Sequence, residues 1–294
     1  MVDHYPVLYR EIIQFFRYIE NGYLVDATLG GGGHSFLILK YNPNLKVVGI
    51  DRDEYAIEIA KDRLSEFKDR VIIQKGSFKD IDILLESLSI KKASGFLFDL
   101  GVSHFQLKLE RGFSFQREEF LDMRMDRSQR LTAFDVVNSL SEQQLYRIIR
   151  DYSEEKFALR IAKRIVDYRR NKKIETTREL ADIVCQVYPP NLRYSSRIHP
   201  ATRTFQAIRI YVNNELNQLE TGLEKAIKLT EKDGIIAVIS FHSIEDRIVK
   251  HTFKKYQQLK ILEVLTKKPV IPSKKELMEN PASRSGKLRV VRRL

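Results

Sequence analysis

The chain has 294 residues, of which 43% are apolar and 31% charged; its formal net charge is +12 and Cys185 is its one cysteine. It is long enough for a large buried core, it excludes an intramolecular disulfide and a cysteine-based metal cluster, and its apolar runs fall short of the roughly 18–20 residues that span a bilayer. The excess of Lys and Arg reads equally well as a match for a polyanionic partner and as a basic composition without functional meaning.

In chain order, Met1-Val2-Asp3-His4-Tyr5-Pro6 lacks the basic and apolar regions of a signal peptide, so a cytoplasmic location without membrane attachment is expected. The first third then alternates strand and helix signals. Residues 24–26 read as a first strand ending at Asp26; Gly30-Gly31-Gly32-Gly33 follows, and 35–40 opens a helix. Residues 46–51 form a second strand ending at Asp51. Apolar side chains at 55, 56, 59, 60, 64 and 67 have helical spacing, 71–74 is a third strand, 81–88 a helix, and 95–100 a fourth strand with Asp99 at its end. This βαβα order predicts a parallel sheet with helices on both faces.

The pattern then changes. Residues 103–203 contain no convincing strand. Residues 113–130 are loop-like, and Ser141-Glu142-Gln143-Gln144 and Thr176-Thr177-Arg178-Glu179 are capping boxes that open helices. A helix at 155–170 carries Phe157, Ile161, Ile165 and Tyr168 on one stripe, and Pro189-Pro190 ends the helix after Thr176. One long helix, 204–230, is predicted to lead back to a buried strand at 235–241 and a helix from His242. Apolar runs at 261–265 and 288–291 predict a terminal antiparallel pair joined by a long basic loop, 267–287. The expected organisation is an α/β Rossmann-like domain, 1–103 with 204–294, interrupted by an all-helical domain, 104–203.

A glycine loop after a first strand, with an acidic residue ending the second, marks a nucleoside-containing cofactor. The glycines alone fit NAD or S-adenosylmethionine (SAM). A dinucleotide fingerprint, however, would place a glycine three residues after Gly33, and Phe36 stands there. Asp26, four residues before Gly30, is the arrangement of SAM sites, beside the cationic amino-acid end of the ligand. Asp51 is then placed for the ribose hydroxyls, Phe78 for the adenine, and Asp99 for the reaction centre or the methionine ammonium. Each alone is ordinary; all four at successive strand ends point to SAM. The closing antiparallel pair is also the methyltransferase variant of this fold.

Further motifs run along the whole chain: His4-Tyr5-Pro6-Val7-Leu8, Gly31-Gly32-Gly33-His34-Ser35, Asp51-Arg52-Asp53, Asp99-Leu100-Gly101-Val102-Ser103, Glu110-Arg111-Gly112-Phe113-Ser114-Phe115 and Leu121-Asp122-Met123-Arg124-Met125-Asp126, then His199-Pro200-Ala201-Thr202-Arg203, Ser240-Phe241-His242-Ser243-Ile244-Glu245-Asp246, and Asn280-Pro281 with Arg284-Ser285. In these the sequence resembles the bacterial ribosomal RNA small-subunit methyltransferase H family, also called MraW. The resemblance implies a SAM-dependent methyltransferase domain with a helical, RNA-recognising domain inserted after strand four. It implies methylation of N4 of a cytidine at the peptidyl site of 16S rRNA, and cofactor contacts at Gly32, Gly33, His34, Asp51, Phe78, Asp99 and Gln106. The sequence departs from the family at Gly31, where Arg is usual, and around Gln106, where His104, Phe105 and Lys108 stand. It departs again at Ala282-Ser283, where the family favours Arg-Ala.

An exocyclic cytosine amine is a weak nucleophile, so transfer from a charged sulfonium depends on orientation and desolvation. Many amino-methyltransferases place an Asn- or Asp-Pro-Pro-aromatic motif after strand four; here Asp99-Leu100-Gly101-Val102 stands instead, and the amine target comes from the resemblance alone. Asp99 is the first candidate to accept the amine hydrogens, with His242 and Ser243 as further catalytic candidates. Arg203 and Arg209 are candidates for phosphate contact, and Phe113 and Phe115 for stacking on a flipped base. The pairs Lys163-Arg164, Arg169-Arg170, Lys172-Lys173, Lys267-Lys268 and Arg292-Arg293 are further phosphate candidates. No metal site is expected. The competing readings are a SAM methyltransferase acting on another nucleic acid or a protein, and a SAM- or RNA-binding assembly factor without activity.

Overall fold

The computed structural model describes residues 5–103, 106, 109–195 and 198–294. His4, His104, Phe105 and Lys108 lie outside them. The chain divides into two compact units, Met1–Gly101 with Leu216–Leu294, and Val102–Glu215.

The first unit is built on seven strands: β1 (Gly22–Asp26), β2 (Leu45–Asp51), β3 (Val71–Lys75), β4 (Ala93–Asp99), β5 (Thr230–Ser240), β6 (Leu262–Val264) and β7 (Lys287–Arg293). They form one sheet in the order β3-β2-β1-β4-β5-β7-β6. The first five are parallel, and β7 runs antiparallel between β5 and β6. β1 pairs with β2 on one side and β4 on the other, so the order reverses there, and ligands of such sheets bind at that crevice.

Near-continuous apolar runs make these strands because both faces are buried. Successive side chains alternate between the faces: Val25, Phe96 and Phe98 join one core cluster, Leu24 and Leu97 the other. On the first face the helices Ile81–Ser87, Glu215–Leu229 and Ser243–Gln258 supply Leu85, Leu223 and Phe253. On the second, Tyr9–Phe16, Gly33–Tyr41 and Glu54–Arg63 supply Phe16, Ile38 and Ala60.

The second unit is helical and has its own core. It comprises Ala133–Ser139, Glu142–Ser153, Ala158–Arg169, Thr177–Val187, Pro190–Ser195 and Ala201–Asn213. Leu145, Ile149, Ile161, Leu180, Val184 and Ile208 are buried in one cluster. The capping boxes at Ser141 and Thr176 form as the sequence predicts.

Three expectations are corrected, and one helix is added. The single helix 204–230 is two helices, Ala201–Asn213 and Glu215–Leu229, broken at Asn214 with φ 50°. Asn adopts this left-handed conformation more readily than most residues, and Asn213 uses its side chain to bind Met125 N and Met123 O at 2.8 and 2.7 Å. The first of these helices packs in the helical core, so the boundary of that unit falls after Glu215 rather than at 203. The basic loop 267–287 contains a helix, Lys274–Glu279, and a 3-10 turn, Pro281–Ser285. Finally, Tyr9–Phe16 is a helix that the sequence reading leaves unassigned. Buried Glu276 of the tail accepts a 2.7 Å hydrogen bond from Leu8 N–H at its start.

Candidate active site

The strand ends bring the glycine loop and the acidic residues together. β1 stops at Asp26, the chain turns through Gly30 and Gly32, and the helix Gly33–Tyr41 begins. Gly32 sits at the start of that helix with φ 74°, a conformation that a side chain strains, and no side chain caps the helix there. Such an N-terminus presents backbone N–H groups toward the crevice. Asp51, ending β2, ties the loop down: its Oδ2 accepts from Gly30 N–H at 2.8 Å and its Oδ1 from Asp53 N–H at 2.9 Å. Burial raises the Asp51 carboxyl above its ordinary range, against these two hydrogen bonds.

Asp26 is 1% exposed and accepts from the Ser35 hydroxyl at 2.6 Å and from Thr28 N–H at 3.3 Å. Burial pushes its carboxyl up to about 6, with the nearby charge of Asp51 adding to the push. Asp99, ending β4, has its backbone N–H held by Thr28 Oγ1 at 2.6 Å. Its Oδ1 is buried and has no hydrogen-bond partner among the described residues. Its Oδ2 lies 3.5 Å from Nδ1 of His34, in the first turn of the helix. The other ring nitrogen of His34, Nε2, is 2.9 Å from the carbonyl of Val7. Burial, then the charges of Asp26 and Glu245, push the Asp99 carboxyl up to about 8, and the 27% of the side chain that stays exposed works against that push. Burial lowers His34 to about 4. Among the described residues neither Asp26 nor Asp99 lies within ion-pair distance of a Lys or Arg.

Phe78 stands after β3 with its ring edge-on to Phe98, centroids 5.8 Å apart. A side chain on Gly222 would come within 2.9 Å of it, so that glycine lets the helix Glu215–Leu229 close over Phe78. Gln106 is 6% exposed and belongs to the helical unit, where its Oε1 accepts from Ser103 N–H at 3.0 Å. His242 is the N-cap of Ser243–Gln258: its Nδ1 accepts from Glu245 N–H at 3.3 Å. The proton of the ring is therefore on Nε2, which lies 3.1 Å from Glu245 Oε1 but out of line for a hydrogen bond. Ser243 follows at an exposed position. Sequence reasoning assigned no role to Val7, Ser35, Glu245 or Gly222. Val7 and Ser35 stand in quoted motifs, yet their contacts with His34 and Asp26 exist only after folding.

The helical unit treats its candidates unevenly. Arg209 is bound through two nitrogens to Glu215, both contacts 2.9 Å. Arg169 donates to the carbonyls of Val137 and Leu140, Arg170 to Asp167, and Lys172 to Glu179. In the sheet unit Arg292 is engaged by Glu263 and Arg293 by the carbonyl of Ile261. These cations serve the fold. Arg203, Lys163, Lys173, Lys267 and Lys268 are exposed. Phe113 is buried, and Phe115 packs between His199 and Phe205 at 4.5 and 5.0 Å, so neither is a free stacking face. Among the described residues an exposed aromatic of this unit is one the sequence reading passed over: Phe120, 52% exposed, stacks on Phe134 at 5.5 Å, with Lys173 Nζ 5.9 Å above the Phe134 ring.

A parallel sheet of order 3-2-1-4-5 closed by an antiparallel pair, with a glycine loop and carboxylates at the ends of β1, β2 and β4, defines a methyltransferase of the nucleoside-cofactor α/β class. The chain belongs to the MraW methylase family, whose sequence profile matches residues 1–294. Over 294 residues, covering all of both chains, it is 66% identical to the ribosomal RNA small subunit methyltransferase H of Sulfurihydrogenibium sp. (strain YO3AOP1) and 64% identical to that of Sulfurihydrogenibium azorense. It is 50% identical over 289 residues to that of Thermotoga neapolitana, covering 97% of this chain and 94% of the relative.

The methyl donor is SAM, and the site's chemistry fits it. The sulfonium and ammonium of SAM are the positive charges that Asp26 and Asp99 lack. The buried Oδ1 of Asp99 is an acceptor waiting for a donor.

Proposed function

We propose that this chain transfers the methyl group of SAM to N4 of a cytidine at the peptidyl site of 16S rRNA in the small ribosomal subunit, in the cytoplasm. The observation that carries the reading is the unpartnered, buried Oδ1 of Asp99 at the end of β4 beside the glycine loop. The target base follows from the family resemblance. Bound SAM supplies an electrophilic methyl on a positively charged sulfur. Gly32, Gly33 and His34 hold the cofactor at the start of their helix, Asp51 takes the ribose hydroxyls, Phe78 faces the adenine, and Asp26 attracts the cationic amino-acid end. The family resemblance adds Gln106 to the cofactor contacts.

Asp99 accepts hydrogens of the exocyclic amine and helps localise its lone pair; a strong base is unnecessary before attack. His242 has its Nδ1 lone pair engaged by Glu245 N–H, which leaves the ring as a donor and not a base. Its ring serves the helix cap, and Ser243 beside it orients the incoming base. The helical unit recognises RNA. Phe120 on Phe134 offers a stacking face, and Lys163, Lys173 and Arg203 take phosphates.

The test is incubation with methyl-labelled SAM and, separately, small ribosomal subunits, naked 16S rRNA or DNA, followed by mapping of modified nucleosides. Label in a single N4-methylated cytidine of the rRNA is expected. Label confined to DNA or protein overturns the substrate, and SAM binding without transfer anywhere overturns the activity.

A further inference from the structure

We infer that SAM binding expels a proton from Asp99, and that His34, fixed on the Val7 carbonyl, is the positioning residue that holds this proton in the free protein. The inference rests on the SAM reading of the site and adds a protonation state to it.

A carbonyl only accepts, so His34 Nε2, 2.9 Å from that of Val7, carries a hydrogen. His34 is 5% exposed, and burial keeps the ring neutral. Its Nδ1 is then a lone pair, and that lone pair faces Asp99 Oδ2 at 3.5 Å. A carboxylate oxygen there would set two acceptors against each other; a carboxylic acid would point its O–H at an acceptor.

The other groups around Asp99 favour the acid too. From β1 and its loop come Asp26, a second carboxylate, and Thr28, whose Oγ1 is occupied by Asp99 N–H. From the helix Gly33–Tyr41 come His34 and Ser35, whose hydroxyl is committed to Asp26. From the first turn of the helix Ser243–Gln258 comes Glu245, another negative charge. Among the described residues no Lys or Arg lies within ion-pair distance of Asp26 or Asp99, and Asp99 Oδ1 has no donor. The proton is the counter-charge of these carboxyls in the free protein. A ligand that brings an ammonium and a sulfonium makes it redundant. The exposed quarter of the Asp99 side chain gives the proton a path to solvent.

The sign is fixed by linkage. The carboxyl is raised in the free protein and lowered in the complex, so binding releases a proton at pH values between the two. SAM affinity therefore falls as pH drops below about 7 to 8, by several-fold per unit.

Calorimetry decides it. SAM is titrated into the intact protein at pH 7 in phosphate and in Tris, whose ionisation enthalpies differ. The difference in heat is expected to report roughly half to one proton released per SAM. Methylthioadenosine, which keeps the nucleoside and lacks both charges, is expected to bind without releasing a proton. Asp99→Asn removes the release. His34→Asn, which offers a donor in place of the lone pair, reduces the release at pH 7, an effect that a merely structural role would not produce.

Should Asp99→Asn not fold, infrared difference spectra of the unaltered protein serve instead: a protonated carboxyl band is lost on adding SAM. Buffer-independent heat at pH 7, or no loss of that band, overturns the inference and leaves SAM binding intact. No heat with SAM at all overturns the cofactor reading itself.

Discussion

The sheet unit and the helical unit both gather charged side chains, and they use them differently. In the helical unit the cations are largely consumed by the chain: Arg209 by Glu215, Arg169 by the carbonyls of Val137 and Leu140, and Arg111 by those of Arg124 and Met125. They fasten segments that no sheet or long helix would hold. At the ends of β1 and β4, Asp26 and Asp99 converge with Glu245 nearby and no Lys or Arg in reach among the described residues. An uncompensated buried carboxylate costs free energy. A fold that keeps one has left the compensation to something it binds. Residue type and motif membership do not separate the two uses; the unfilled hydrogen-bonding capacity of each side chain does.

The largest effect that would sharpen this contrast is Arg209→Ala. It leaves Glu215, whose side chain is 9% exposed, without its partner at the bend between two helices. A stability loss of about 3 kcal/mol in urea unfolding is expected, with RNA affinity of the folded fraction unchanged. Weaker RNA binding at full stability would return Arg209 to the phosphate contacts and break the contrast.

A smaller effect is expected from Phe120→Ala. RNA affinity should fall by about 1–3 kcal/mol, the worth of one stacked base, and stability should hardly move at a site 52% exposed. Phe115→Ala, packed on His199 and Phe205, should do the reverse. Equal RNA affinity of unaltered and Phe120→Ala protein in filter binding would remove the stacking face.

The parts legible in the sequence are those whose cause is local. The strands of the parallel sheet read as apolar runs because both faces of each are covered, and their acidic ends followed. The boxes at Ser141 and Thr176 read because the capping partner lies three residues on. Ala133–Ser139 escaped although it has the same device, since Thr132 pairs with Asp135 where Glu or Gln is the usual third residue. The helix Tyr9–Phe16 depends on Glu276 of the tail, a contact across 268 residues. The site divides in the same way. Asp26, Asp51 and Asp99 were placed by position alone; the protonation of Asp99 depends on the Val7 carbonyl acting through His34 and on Glu245, which no spacing rule connects.

His242 gives the smallest effect and the sharpest test, because it lies in the turn after β5, close to the carboxylates, yet behaves like the helical cations. Its Nδ1 caps the helix, and Glu245 Oε2 accepts in turn from Phe241 N–H and His242 N–H at 2.9 and 3.3 Å. His242→Ala should therefore cost about 1 kcal/mol of stability. The rate at saturating SAM and rRNA should stay within about threefold, since loss of a general base would cost about a hundredfold or more. Asn is as good a cap as His and no base. His242→Asn should accordingly recover the stability that Ala loses. If His242→Asn is as stable as the unaltered protein but as slow as a hundredfold-impaired His242→Ala, the ring acts on the base, and the capping geometry is its support rather than its purpose.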